Sequence, residues 1–512
     1  MVVNIFSVLQ LAVLFALLLV LSCSIQFTWT SAAKNRALVF VGLLGVANLL
    51  VFGITHDNKN SRLSGFHLHD SFHYLVSAKY FDELGYQQIY QCTVKAFHEL
   101  EKEGATVPKI LLVRDLDSRF QSIAANDTVC SADFPPQRWV AFKSDLQGFL
   151  ALNSEEATWQ KMLVDNGNNP PPSWALPASL VVWWTSLDAA AIELLTRLDL
   201  LLILVLLPLF IFRAGLVGER LGEASLFVAI LSCTWFLAPS WVLGSYAREG
   251  WLFGLVMGVI AWRRSDLLWA GFWFGLAAWL RVFPVLFLIP AMLLLSVWGD
   301  RLKFGAGVAL ISLIQVSSLA FFGLDTWIVF FSNLLTHGDL PALNHMGYYQ
   351  LVTQTFVVNT AQGVFPTVIY ADLNELIKII YQQNAIIHGV IKLAVLVLAC
   401  LVCIKSRASE DRTYQISIVL FVGICLLFFL VDIAHYYYVI LAVYFWLTEL
   451  QSSDRARTLS KVNGILMVAV ISIDLVPRSM IFLFSIQNAL MCLWVFAVLV
   501  VHSWYGWRRN EW

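Results

Sequence analysis

Apolar runs bounded by charged residues recur along the whole chain, at roughly 5–27, 37–55, 194–214, 223–241, 249–262, 266–280, 283–298, 304–323, 386–404, 414–431, 435–449, 462–476 and 482–505. Nothing else in the sequence restricts the fold as much. A helix crosses a hydrocarbon core of about 30 Å with ~20 apolar residues, and in lipid its backbone groups must bond within the segment. The thirteen runs therefore predict an all-α polytopic membrane protein. The 13% of charged residues agrees, because a soluble domain carries about 25%. Several runs are shorter than a full crossing, so some helices are expected to be buried, broken or only partly inserted. The first run is of spanning length and lacks a basic n-region or a convincing cleavage site, so it reads as a helix rather than a cleavable signal.

Lys and Arg concentrate in the cytoplasmic connections of membrane proteins. Simple alternation of the runs puts sixteen of them on one side: Lys34, Arg36, Arg213, Arg220, Arg263, Arg264, Arg301, Lys303, Lys405, Arg407, Arg412, Arg455, Arg457, Lys461, Arg508 and Arg509. The short connections on the other side hold only Arg248, Arg281 and Arg478. The sequence thus divides into two N-terminal helices (1–55), an extracytoplasmic loop domain with interfacial helices (56–193), central helices (194–323), a second extracytoplasmic loop (324–385) and C-terminal helices (386–512). The apolar stretch 179–195 reads as an interfacial or re-entrant helix, and the N-terminus is expected outside. A net charge of −1 gives no hint of nucleic acid. Only Cys92 and Cys130 lie in the first loop, and in an oxidising compartment two such cysteines are expected to pair; two free thiols are the alternative. Cys400 and Cys403 have no partner ligand for zinc.

The first loop opens with a polar island: His67, His69, Asp70, His73 and Tyr74, then Lys79, Asp82 and Glu83. Three of the ten histidines fall in seven positions. If 67–82 is a helix, Asp70, His73, Tyr74 and Ser77 share a face by i, i+3 and i+4 spacing, and the element is an amphipathic helix on the membrane surface. A carboxylate there could act as general base on a hydroxyl. A merely wetted polar face is the plainer account, and for one Asp and one His it would suffice.

Four further constellations fall on the same side under this topology. Arg281-Val-Phe-Pro284 interrupts 32 nearly uncharged residues, about 48 Å of helix if continuous. Pro284 can break that helix, leaving Arg281 at an outer turn, either as an anion ligand or as a snorkelling helix end. Arg248-Glu249 is either an ion pair or a second phosphate site. The second loop carries His337, Asp339, Asn344, His345 and Tyr348. Asp432, His435, Tyr436, Tyr437 and Tyr438 sit at an outer helix end, as ligand wall or aromatic belt.

These residues resemble the GT-C superfamily of membrane glycosyltransferases, in particular the polyprenyl-phosphate-sugar-dependent group with bacterial mannosyl- and arabinofuranosyltransferases. The carriers are His69-Asp70-Ser71-Phe72-His73-Tyr74 with 78–86, Arg248-Glu249-Gly250-Trp251, and Arg281-Val-Phe-Pro284. Architecture covers most of the chain; the motifs cover about a tenth. The resemblance implies a GT-C-like bundle of about 13 helices, a lipid-phosphate sugar donor, inversion at the anomeric carbon and an Asp base, matched by Asp70. The paired acidic motif common in that loop has no close counterpart, because Asp115-Leu-Asp117 lies about 60 residues beyond the second span. No cofactor is assigned; a divalent metal is allowed without being predicted.

The resulting expectation is an inverting glycosyltransferase that moves one sugar from a polyprenyl phosphate to a lipid, glycan or protein acceptor at the outer membrane face. Asp70 is the base. His69, His73, Tyr74, Arg248, Glu249, Arg281, His345, His435 and Tyr436 are expected to bind substrate. The rivals are a transporter or flippase, which predicts charges near the bilayer midplane and paired broken repeats, and a polymerase or ligase using a diphosphate-linked glycan.

Overall fold

The computed structural model describes residues 5–26, 30–55, 67–116, 121–165, 167–215, 219–234, 245–338, 345–352, 382–431, 433–451, 453–474 and 480–508. About 80% of the described residues are helical. Among them, seven helices are long and apolar enough to cross a membrane: Ser31–Leu50, Ala189–Ala214, Trp298–Leu335, Ala385–Ser406, Arg412–Leu430, Asp454–Ile473 and Ser485–Tyr505. Six apolar helices are shorter, among them Val8–Cys23, Gly250–Arg263, Leu267–Leu280 and Val285–Leu294. This is a multi-pass, all-α membrane protein.

Two hydrophobic cores organise it. The larger lies among the apolar helices. It contains α1 (Ile5–Gln26), α2 (Ser31–Thr55) and α12 (Arg220–Thr234), with the helices from Gly250 onward. The smaller belongs to the segment 67–196, built from α3 (Leu68–Lys79), α4 (Phe81–Leu84), α5 (Ile89–Lys102), a two-stranded antiparallel ribbon of β1 (Leu112–Asp115) and β2 (Gln121–Ala124), α6 (Pro136–Leu152), α7 (Glu156–Leu163), α8 (Pro172–Val182) and α9 (Ala189–Thr196). Cys92 on α5 is bonded to Cys130, closing 38 residues. Pro172 begins α8, where its missing N–H costs nothing. The region read as one helix over 179–195 is two. α8 stops at Val182, and Asp188 caps α9 by accepting the Ala191 N–H.

The two cores meet. Tyr246, Trp327 and Phe330 join the smaller core, and α8 packs on α3, on α14 (Leu267–Leu280) and on α16 (Trp298–Gly338). α16 breaks at Gly323, whose φ of 76° favours glycine, and resumes to Gly338. Residues 324–338, assigned from sequence to the second loop, are therefore helical. The cause is the apolar face of Trp327 and Phe330, which packs against the loop segment through Tyr86.

The break at Arg281 takes the form Pro284 imposes. α14 ends at Leu280, Arg281 is extended, and Pro284 caps α15 (Val285–Leu294). Beyond α16, β3 (His345–Met346) pairs antiparallel with β4 (Ile433–Ala434). The helical stretches there are α17 (Tyr348–Gln350), α18 (Ala385–Ser406), α19 (Arg412–Leu430), α20 (Leu441–Glu449), α21 (Asp454–Asp474) and α22 (Met480–Arg508).

Candidate active site

α3 starts with its own cap. The His67 imidazole accepts the Asp70 N–H through Nδ1 at 3.2 Å, and the His67 carbonyl accepts both the Ser71 N–H and its hydroxyl. Asp70 then lies in the first turn, where the helix dipole favours a carboxylate. His67 Nδ1 also lies 3.3 Å from Asp70 Oδ2. Because that nitrogen carries no proton and accepts the Asp70 N–H, the contact is not an ion pair. Burial and the nearby Arg248 push the His67 pKa down to about 3, so the ring is neutral.

The helix is not the surface element expected from its spacing. Ser71 through Lys79 are all buried, because α8 covers one side and α9 and the smaller core the other. Its polar groups consequently divide. Asp70 and Tyr74 meet arginines from the apolar bundle. The Asp70 carboxylate pairs with the Arg248 guanidinium, and Arg281 donates to the Tyr74 hydroxyl. The Arg281 guanidinium also lies 5.2 Å from the Tyr74 ring centre and 5.7 Å from that of Tyr437. His69 and His73 turn instead toward Asp165 and Tyr90. His69 Nε2 is 3.1 Å from Asp165 Oδ2, and His73 Nε2 is 2.7 Å from the Tyr90 hydroxyl.

The second half of the island is structural. Lys79 and Tyr80 both donate to Asp145 Oδ2, at 2.5 and 2.7 Å, while Asp145 Oδ1 accepts the Leu187 N–H. Glu83 pairs with Arg138, which also donates to the Lys79 carbonyl. These bonds tie α3, α4, α6 and the α8–α9 turn into one body.

Arg248 is held by its backbone as well as its side chain. Its N–H donates to Asp199 Oδ2 at 3.0 Å, and its Nε lies 3.7 Å from Glu249 Oε1. The preceding Ala247 has φ 51°, rare for a residue with Cβ, and its carbonyl accepts the Trp174 indole N–H. Such backbone strain concentrates at functional sites. Arg248, Glu249 and Asp199 are each at most 2% exposed and Arg281 5%. Charges this deep persist only when paired, and this group contains both signs.

An apolar cavity of about 310 Å³ opens beside the group, lined by Trp174, Pro177, Val181, Leu202, Leu206 and Tyr246, with Asp199 and Ala247 also on its wall. Leu202–Leu206 is a π-helical turn, a local widening often found at functional sites. A second cavity, of about 340 Å³, lies far along the chain among Lys405, Ser409, Tyr414 and Arg455.

His345 and His435 are brought near each other, because His345 pairs with Ala434 across the β3–β4 bridge. Tyr437, two residues on, reaches Arg281 and so connects this region to the arginine site. Tyr436 falls in the 3-10 turn His435–Ile440, and its side chain lies outside the described residues, as do Asp339, Asn344, Asp432 and the side chain of His337.

Sequence reasoning missed three participants. Asp199 stands inside the apolar run 194–214, and an aspartate there is itself a signal. Asp165 and Tyr90 carried no local signal, since only tertiary packing sets them beside the histidines. Comparison with protein-family models, curated proteins and solved structures finds no match to this chain.

Proposed function

We propose that the protein is an inverting GT-C-type glycosyltransferase that uses a polyprenyl-phosphate sugar, with its site on the extracytoplasmic face and Asp70 as general base. One observation carries the reading. Asp70 and Arg248 form a nearly dry ion pair beside Arg281 and Tyr74, next to an apolar cavity. A carboxylate, two guanidiniums and an apolar channel match the three parts of the reaction: an acceptor hydroxyl, a lipid phosphate and an isoprenoid tail.

In the donor-free protein Arg248 is the counter-ion of Asp70. The phosphodiester of the bound donor gives Arg248 a second anion, whose two free oxygens guanidinium can meet through two parallel hydrogen bonds. Asp70 is then less tightly held and free to accept a proton. The acceptor hydroxyl loses its proton to Asp70 as its oxygen bonds to the anomeric carbon. The bond from that carbon to the phosphate oxygen breaks on the opposite side, and the polyprenyl phosphate leaves with the electron pair. Arg248 and Arg281 stabilise the charge that develops on it. Tyr74 braces Arg281, and Asp199 fixes the backbone of Arg248. Glu249, His345, His435 and Tyr436 complete the surroundings expected to hold the sugar and acceptor, within a bundle of about 13 helices, whereas His69 and His73 face Asp165 and Tyr90 and take no part in it.

Asp70→Asn keeps the shape and removes the base. Turnover of a polyprenyl-phosphate sugar by purified protein should fall about 10²-fold or more, while donor binding is kept or tightened, because Arg248 loses its competing anion. Near-normal turnover in this variant would remove Asp70 from the base role.

A further inference from the structure

The histidines of α3 are not explained by the arginine site. His69 and His73 are four residues apart, one helical turn, so their rings project from the same face, and their centroids lie 4.8 Å apart. Asp165, from the turn after α7, completes the group. One ligand atom from each residue lies within 4.8 Å of the others.

Two details argue against an ordinary hydrogen-bonded cluster. First, His73 Nδ1 donates to the His69 carbonyl at 2.7 Å. This fixes the tautomer that leaves Nε2 as the acceptor atom, here of the Tyr90 hydroxyl, with the other nitrogen tied to a carbonyl as in metal-binding histidines. Second, His69 Nε2 is buried and makes no well-oriented hydrogen bond, although Asp165 Oδ2 is only 3.1 Å away.

We propose that His69 Nε2, His73 Nε2 and a carboxylate oxygen of Asp165 bind one divalent transition-metal ion of the zinc class. The donor set is two imidazoles and a carboxylate, which suits zinc and its neighbours rather than magnesium or calcium. Bonds of ~2.0–2.1 Å in a tetrahedral site put ligand atoms about 3.3 Å apart. The His69–Asp165 separation of 3.1 Å already fits. The Tyr90 hydroxyl, which donates to His73 Nε2, releases that bond when metal arrives and keeps the Gly167 N–H that it accepts at 2.9 Å. The Asp165 side chain is 44% exposed, which gives the ion an entry path and leaves a fourth position for water. Since His69 directly precedes Asp70, the ion would lock the helical turn that carries the carboxylate. This inference is independent of the glycosyltransferase reading and stands or falls without it.

The test uses the full chain in detergent, stripped with chelator and titrated with Co²⁺, then with competing Zn²⁺. The expected result is one Co²⁺ per chain with visible d–d absorption, displaced by Zn²⁺, and a raised Tm with Zn²⁺. His69→Ala and Asp165→Asn should each weaken binding by at least about ten-fold, since loss of even outer-shell partners costs 10–100-fold. Asp165→Asn is nearly isosteric on an accessible turn, so it separates ligand loss from misfolding. Tyr90→Phe should bind as tightly or more tightly, because it removes the competing hydroxyl. Absence of stoichiometric Co²⁺ binding, or unchanged affinity in both His69→Ala and Asp165→Asn, would overturn the proposal.

Discussion

Arginines at two places in this molecule meet carboxylates in different ways. Arg457 pairs with Asp454 at the start of α21, with side chains 48% and 69% exposed. Arg248 pairs with Asp70 with side chains 1% and 17% exposed. The first pair is one helical turn apart in sequence; the second joins residues 178 positions apart. An exposed local pair costs little and gains little. A buried, long-range pair must overcome desolvation, and replacing it by apolar side chains would often be neutral or stabilising. The protein keeps the ionisable residues Asp70, Asp199, Glu249 and Arg281 around Arg248 where apolar ones would serve packing as well. What distinguishes the two places is therefore the chemistry the buried one can do.

The sharpest way to break this contrast is to remove each arginine. Arg248→Ala leaves Asp70 and Glu249 without their nearest cation, and should destabilise by about 3–5 kcal/mol. Arg457→Ala should cost less than about 1 kcal/mol. Chemical denaturation in matched detergent checks both, and similar costs would erase the distinction.

A second perturbation asks whether the body that carries Asp70 is held as firmly as the pair requires. Reducing the Cys92–Cys130 bridge frees a 38-residue loop, worth roughly 3–4 kcal/mol in chain-entropy terms. Limited proteolysis of reduced and native protein should show new cleavage within 67–196, while the apolar helices stay protected.

Acid should discriminate more gently. The His67 pKa falls from 6.5 to about 3 on folding, and His69 and His73 shift the same way. Below pH 6.5 the unfolded chain binds protons that the folded one does not, so stability falls as pH drops from 6.5 toward 3. His67 contributes a slope of at most about 1.4 kcal/mol per pH unit. Above 6.5 these groups add no pH dependence. In a thermal-melt series from pH 8 to 4, acidification below pH 6.5 should destabilise the wild type more than His67→Asn.

Much of this was written in the sequence, in patterns of one or two dimensions. Apolar runs gave the helices, Pro284 the break at Arg281, and compartment logic the cysteine pair that the structure joins. The spacing of Asp70, His73 and Tyr74 gave a helix over the right residues. It could not say what would cover that helix. Spacing defines which residues share a face, whereas burial depends on α8 and α9, which arrive about a hundred residues later. For the same reason Asp70 and His69, neighbours in sequence, serve different clusters. The continuation of α16 past Gly323 was hidden because Trp327 and Phe330 pack against a surface that only the folded segment 67–196 supplies.

If the protein uses a polyprenyl-phosphate donor, the buried arginines bind a lipid phosphate, and titration of purified protein in nanodiscs with a short-chain polyprenyl monophosphate measures this. Binding should be saturable, weakened about ten-fold or more by Arg281→Lys, which keeps the charge but loses the two-pronged donor, weakened similarly by Arg248→Lys, and undiminished in Asp70→Asn. Equal affinity in the wild type and both arginine variants, or no binding at all, would contradict it.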